Sequence, residues 1–138
     1  MIAVLDTNVY VSALVFGGNP RRIVRLAEDR HLSIAISLPL LAELAEILSV
    51  KFGWSKSQID DVLRTLGSST TLHYPNAVVS DCPDPDDNRV LECAQAAGAK
   101  WIVTGDRHLL AMDPWRSARV LTPASFLSEW QKAPTPGE

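Results

Sequence analysis

The chain has 138 residues, 46% of them hydrophobic and 21% charged, with 7 Gly and 9 Pro. That length holds one compact domain, and the composition excludes a disordered or fibrous chain. Net charge is −3, from 13 Lys and Arg against 16 Asp and Glu, a balance that taken alone disfavours a nucleic-acid partner.

Ile2 to Leu5 reads as a buried parallel strand that stops at the polar edge Asp6-Thr7-Asn8. Val9 to Val15 continues as a helix or turn and ends at Gly17-Gly18. Asn19-Pro20 predicts a cap and first position for a helix over Arg21 to Arg30. Ser33 to Ser37 is a second strand, and Pro39 opens an amphipathic helix to about Val50. Ser55 caps a helix to Leu66 whose stripe is Ile59, Val62, Leu63 and Leu66. Thr70 to Tyr74 is a third strand. Asp84 starts a helix that Gly98 closes. Trp101 to Thr104 and Arg119 to Leu121 complete the strands, and Thr122-Pro123 begins a last helix through Trp130.

Strands alternating with helices predict an α/β fold, a three-layer α/β/α sandwich around a mainly parallel sheet of four to five strands. The domain is expected over residues 1–131, with 132–138 a tail that has nothing to bury. Apolar runs such as Ile34 to Ile36 and Leu38 to Ala42 fall well short of a membrane span. The N-terminus lacks a leader pattern, so a cytoplasmic protein without a membrane partner is expected. Cys82 and Cys93 make neither a disulfide framework nor a metal knuckle, and Cys93 falls where a helix buries a small thiol.

Ligands of such sheets sit beyond the carboxyl ends of the strands, near the point where strand order reverses. Asp6 ends the first strand and Asp106 follows Trp101 to Thr104, so both belong to that edge. With Asp84 as cap and Pro85 first in the helix, Asp87 falls on the inward face and Asp86 points to solvent. Glu43 borders the apolar arc of its helix, whereas Glu46 lies further round. Two unit charges ~5 Å apart at an effective dielectric of ~20 repel by roughly 3 kcal/mol. Four converging carboxylates therefore need protons or a cation. Oxygen donors with no His or Cys nearby select a hard ion, Mg²⁺ or Mn²⁺. Setting aside those four acids leaves 12 acidic residues against 13 basic ones, which readmits a nucleic-acid partner.

Leu5-Asp6-Thr7-Asn8-Val9, Glu43, Asp84-Pro85-Asp86-Asp87-Asn88 and Val103-Thr104-Gly105-Asp106 stand in the order of the PIN-domain nucleases. The chain resembles their bacterial toxin–antitoxin branch, the VapC-like toxins, and the ending Leu121 to Leu127 is similar too. The resemblance implies a Mg²⁺- or Mn²⁺-dependent ribonuclease with Asp6, Glu43, Asp87 and Asp106 as its acidic quartet. It implies Asp6, Asp87 and Asp106 as metal ligands, and Asn8 and Thr104 as polar supports. It also implies an RNA substrate and a cognate antitoxin protein, while apolar helix faces leave open whether they serve a homodimer or that antitoxin.

Phosphate contacts need cations. Arg89 and Arg107 flank the acids, and Arg21, Arg22 and Arg25 share one helix. Among the aromatics, Trp101 and Trp130 are expected in packing and Trp115 is the candidate for stacking on a base. His31 and His73 are scattered, while His108 lies two residues beyond Asp106. The Val11-Leu14-Val15 face and the Ile59 stripe are candidate partner surfaces. A non-catalytic RNA- or protein-binding module is the alternative. An α/β phosphatase would need a second Asp where Asn8 stands.

Overall fold

The computed structural model describes residues 1–132. Its elements are β1 (Ile2–Leu5), α1 (Thr7–Val15), α2 (Gly18–Glu28), β2 (Ser33–Ile36), α3 (Leu38–Val50), α4 (Lys56–Ser69), β3 (Thr70–Leu72), α5 (Pro85–Ala97), β4 (Trp101–Val103), α6 (Arg107–Leu110), β5 (Arg119–Leu121) and α7 (Pro123–Lys132). Lys132 thus ends a helix, and the rest of the expected tail, 133–138, lies outside the described residues. No helix among the described residues is long and apolar enough to cross a membrane.

All five strands are parallel, in the order β3-β2-β1-β4-β5. Each parallel step needs a helical crossover, and reversing the direction of travel puts helices on both faces, which makes the three-layer α/β/α sandwich. The chain leaves β1 toward β2 and β3, then returns to β4 on β1's other side. The order therefore reverses between β1 and β4. Leu5 pairs with Val103 there, so Asp6 and Thr104 leave the sheet as neighbours. Ala3, Val4, Leu5, Ile102 and Val103 are fully buried, which explains why both strands read as unbroken apolar runs.

Local chemistry sets most boundaries. Ser55 Oγ accepts the Gln58 N–H at 3.1 Å while Gln58 Oε1 accepts the Ser55 N–H at 2.8 Å, a reciprocal cap for α4. Gly98 closes α5 at φ 63°, a left-handed position that glycine takes without penalty. α4 runs past Leu66 to Ser69 because hydroxyls satisfy its last carbonyls: Ser68 donates to Thr65 O and Thr70 to Leu66 O, each at 2.7 Å. α2 starts at Gly18, ahead of the expected Asn19 cap, with Gly17 at φ 85° turning the chain. Pro20 then falls in the first turn, where a missing N–H leaves no bond unmade.

Trp101, Phe126 and Trp130 lock α7 to the sheet, with Trp101 edge-on to Phe126 at 5.4 Å and Phe126 stacked on Trp130 at 5.9 Å. The two expected partner surfaces contribute to this interior: Val11 and Ile59 are buried, while Leu14, Val15, Val62 and Leu63 are half-buried against the core. Phe126 is 1% exposed, so Phe126→Ala is expected to lower unfolding free energy by about 3–5 kcal/mol. Urea denaturation checks this as a lower midpoint at unchanged slope.

Candidate active site

Four elements deliver carboxylates to the carboxyl edge of the sheet. Asp6 follows β1, Glu43 lies on the second turn of α3, Asp87 is third in α5, and Asp106 caps α6. They line one open cleft of about 360 Å³ together with Glu46, Asp84 and Asp86. Lys51 is the single basic residue in its lining. Glu46 and Asp86 are solvent-exposed, as the helical spacing predicts, yet they stand on the wall of this cleft.

The four differ in what holds them. Asp6 precedes α1 without a capping hydrogen bond to its side chain. Thr104 donates its hydroxyl to Asp6 Oδ2 at 2.7 Å and accepts the Asp106 N–H at 3.0 Å. Asp106 Oδ2 accepts the Leu109 N–H at 3.1 Å, leaving Oδ1 directed away from that cap. Asp84 caps α5 by accepting the Asp86 N–H at 2.9 Å. Asn8 lines the rim.

The loop before α5 is clamped. Asn88 accepts the Cys82 N–H and donates to the Cys82 carbonyl, both at 2.8 Å, and both residues are buried. This clasp brings the Cys82 thiol to 3.5 Å from Asp87 Oδ2. Burial raises the Cys82 thiol pKa, and the bond to Asp87 adds to the rise.

Burial also dominates the acids. Glu43 is pushed up to about 7, first by desolvation and then by the charges of Asp86 and Asp6, against the Thr7 hydroxyl. Asp87 rises to about 6 through burial, then through a hydrogen bond and charge shared with Asp106. Asp6 is raised by burial against the pull of Thr104 and the Asn8 and Thr7 amides, with Asp106 adding to the rise.

Several expectations need correction. Trp115 is 6% exposed, and its Nε1 donates to Asp81 Oδ2 at 3.0 Å, so it is an interior residue. Arg89 faces a different hollow, with Nε 2.8 Å from Glu92 Oε1. Arg21, Arg22 and Arg25 surround a separate surface hollow with Gly18 and Asn19, and none lines the acidic cleft. Arg107 is exposed directly beside Asp106. The premise of an all-oxygen surround also fails. Cys82 touches Asp87, and His108 Nδ1 lies 3.9 Å from Asp106 Oδ1. Thr7, fully buried beneath Glu43, was passed over because its hydroxyl reads as part of the turn.

Raised carboxyl pKa values destabilise the fold at neutral pH. The folded protein keeps protons that the unfolded chain has released, between 4.5 and about 7 for Glu43 and between 3.8 and about 6 for Asp87. Their contribution is whole below those lower values and is lost as pH rises through the upper ones. Glu43→Gln is therefore expected to raise the Tm of the cation-free protein at pH 7.5. Screening at this part-exposed group holds the gain to the order of 1 kcal/mol, roughly 2–8 °C. At pH 4 the two proteins should melt together in a calorimeter.

A family profile described as PIN domain matches residues 3–108. Uncharacterized protein MJ1680 of Methanocaldococcus jannaschii is 29% identical over 142 residues, covering 94% of this chain and 91% of its own. The structure of VapBC-1 from nontypeable Haemophilus influenzae superposes with a TM-score of 0.62 at 15% identity, covering 90% of this chain and 99% of that one. VapBC2 from Rickettsia felis, bound to a DNA fragment from their promoter, gives 0.60 at 21%, covering 87% and 97%. These two likenesses are of fold. The profile spans most of the chain and includes all four clustered acids, and on that ground the chain belongs to the PIN domain family.

Proposed function

We propose that this chain is a divalent-cation-dependent ribonuclease, cytoplasmic, and the toxin of a toxin–antitoxin pair. The observation that carries the nuclease reading is the convergence of Asp6, Glu43, Asp87 and Asp106 on one open cleft where Lys51 alone is basic. Buried carboxylates of like charge stay ionised together only beside a cation. Their oxygens suit a divalent ion, so the donor set fits the Mg²⁺ or Mn²⁺ that PIN nucleases imply. Asp6, Asp87 and Asp106 would hold it. When bound, such an ion neutralises charge at a scissile phosphate and lowers the pKa of its water.

The chain's own groups do the rest. Thr104 fixes the Asp6 carboxylate through its 2.7 Å bond. Glu43, held near pH 7 by burial, is suited to accept a proton from attacking water. Asn8 in the cleft lining offers a neutral donor for phosphate oxygens, exposed Arg107 next to Asp106 in the chain offers a cation, and the Arg21, Arg22 and Arg25 hollow offers a second cationic surface. Exposed Phe16, Phe52 and Val50 lie on α1 and α3 ends and support protein partners, an antitoxin or a second copy. The fold likeness to VapBC proteins supports the antitoxin.

Purified protein is expected to cleave a mixed RNA pool with Mg²⁺ or Mn²⁺ and to stop with EDTA. Asp6→Asn should lose about 100-fold or more, the equivalent of ~3 kcal/mol of transition-state stabilisation. Folded protein that leaves both RNA and single-stranded DNA intact and binds no cation would favour the non-catalytic module. Cleavage should also fall as pH drops below about 7, because protons compete with the cation for Glu43 and Asp87, whose cation-free pKa values lie near 7 and 6. A pH–rate series at low and high Mn²⁺ checks this: the fall should move to lower pH as Mn²⁺ rises, and a fall that ignores Mn²⁺ concentration would sink the competition.

A further inference from the structure

Beside two acids of the cleft, Asp87 and Asp106, stands a nitrogen donor that the quartet does not explain. Donor atoms of Asp87, Asp106 and His108 all lie within 4.8 Å of one another. The geometry leaves each carboxylate an oxygen to give. Asp106 Oδ2 is committed to the Leu109 N–H, and its Oδ1 lies 3.9 Å from His108 Nδ1. Asp87 Oδ2 faces the Cys82 thiol, which leaves its other oxygen for the cleft. Neighbouring donors each about 2.1–2.2 Å from one ion stand roughly 3–3.6 Å apart. A shift of about an ångström in the His108 side chain therefore closes the set. The His108 side chain is 66% exposed, so nothing packed around it opposes that shift.

We infer that His108 is a direct metal ligand with Asp87 and Asp106, making this a site for transition ions such as Mn²⁺ and Zn²⁺ in preference to Mg²⁺. The inference rests on the cation-dependent reading above and narrows it. Imidazole nitrogen favours transition ions, whereas Mg²⁺ prefers carboxylate and water oxygen. Asp87 and Asp106 come from two elements whose positions are independently fixed, by the Asn88 clasp and by the Thr104 bridge. His108 follows Asp106 by two residues in the short helix that Asp106 caps, so one segment carries both the carboxylate and the imidazole.

Calorimetry with Mn²⁺ and with Mg²⁺ on the wild type, His108→Ala and Asp87→Asn tests this, joined to pulsed EPR of bound Mn²⁺ for nitrogen coupling. The wild type should show directly bound nitrogen, and His108→Ala should lose it. Mn²⁺ affinity should fall about 10-fold or more in His108→Ala while Mg²⁺ affinity changes less than about 3-fold. Asp87→Asn should weaken both ions. Mn²⁺ bound without nitrogen coupling, or equal losses for both ions, would overturn the inference, leave His108 as a neighbour of Asp106, and leave the nuclease reading standing. A wild type that binds neither ion would overturn both.

Discussion

A single hydroxyl ties the two halves of the sheet together where they diverge. Thr104 donates to Asp6 and accepts from the Asp106 amide, so the ends of β1 and β4 are joined by a side chain where the ladder stops. The Asp6 N–H still reaches the Val103 carbonyl at 2.9 Å, but beyond that point only Thr104 bridges the strands. Order reversal at this point splays the following loops apart and opens the cleft. A buried carboxylate aimed into such a cleft would otherwise repel its neighbours and swing toward water. The bridge holds Asp6 against that tendency and sets the entry of α6, and with it Asp106.

The rest of the edge repeats this logic. Asp87 is held from behind by a clamp of two 2.8 Å bonds between Asn88 and the Cys82 backbone. Each acid thus leans on a neutral donor, Thr104 for Asp6 and the Cys82 thiol for Asp87, and no arginine pairs with either among the described ion pairs. Arginine partners would stabilise the carboxylates but would occupy the oxygens that face the cleft. Neutral donors orient them and leave the charge uncompensated. The fold tolerates that strain because its stability lies elsewhere, in the buried strands and in the Trp101, Phe126 and Trp130 cluster at the far side of β4.

The same distinction explains what could be read from the chain before its structure. β1 and β4 are buried on both faces, and their apolar runs end at Asp6 and near Asp106, so periodicity alone set two of the acids at one sheet edge. Pro85 after Asp84 fixed the phase of α5 and turned Asp87 inward, and Ser55 and Gly98 marked helix ends by their own chemistry. Less legible was everything that depends on contact across the chain. Whether Arg89 meets the cleft or Glu92 depends on a helix rotation, and the i,i+3 pair settles it. Trp115 looked like a surface aromatic because Pro114 and Arg116 flank it, yet Asp81, 34 residues away, accepts its indole N–H. Cys82 and His108 sit beside acids only through the loop clasp and the turn of α6, and neither leaves a periodic trace.

Charge placement then bears on how a polyanion would be gripped. Seven carboxylates and one lysine line the cleft, so a phosphate entering without a counter-ion meets a repulsive field. The arginine trio on α2 lies apart from it, and Arg89 is spent on Glu92. Only Arg107 stands beside the acids with its guanidinium free of the ion pairs found among the described residues. On the nuclease reading, the cation must therefore act twice, as the centre of the chemistry and as the main attraction for the phosphate. Binding of substrate and binding of metal become one coupled event, because each supplies the charge that the other lacks. A donor that tightens the ion, as His108 does in the arrangement inferred here, then tightens the hold on RNA as well, without touching it.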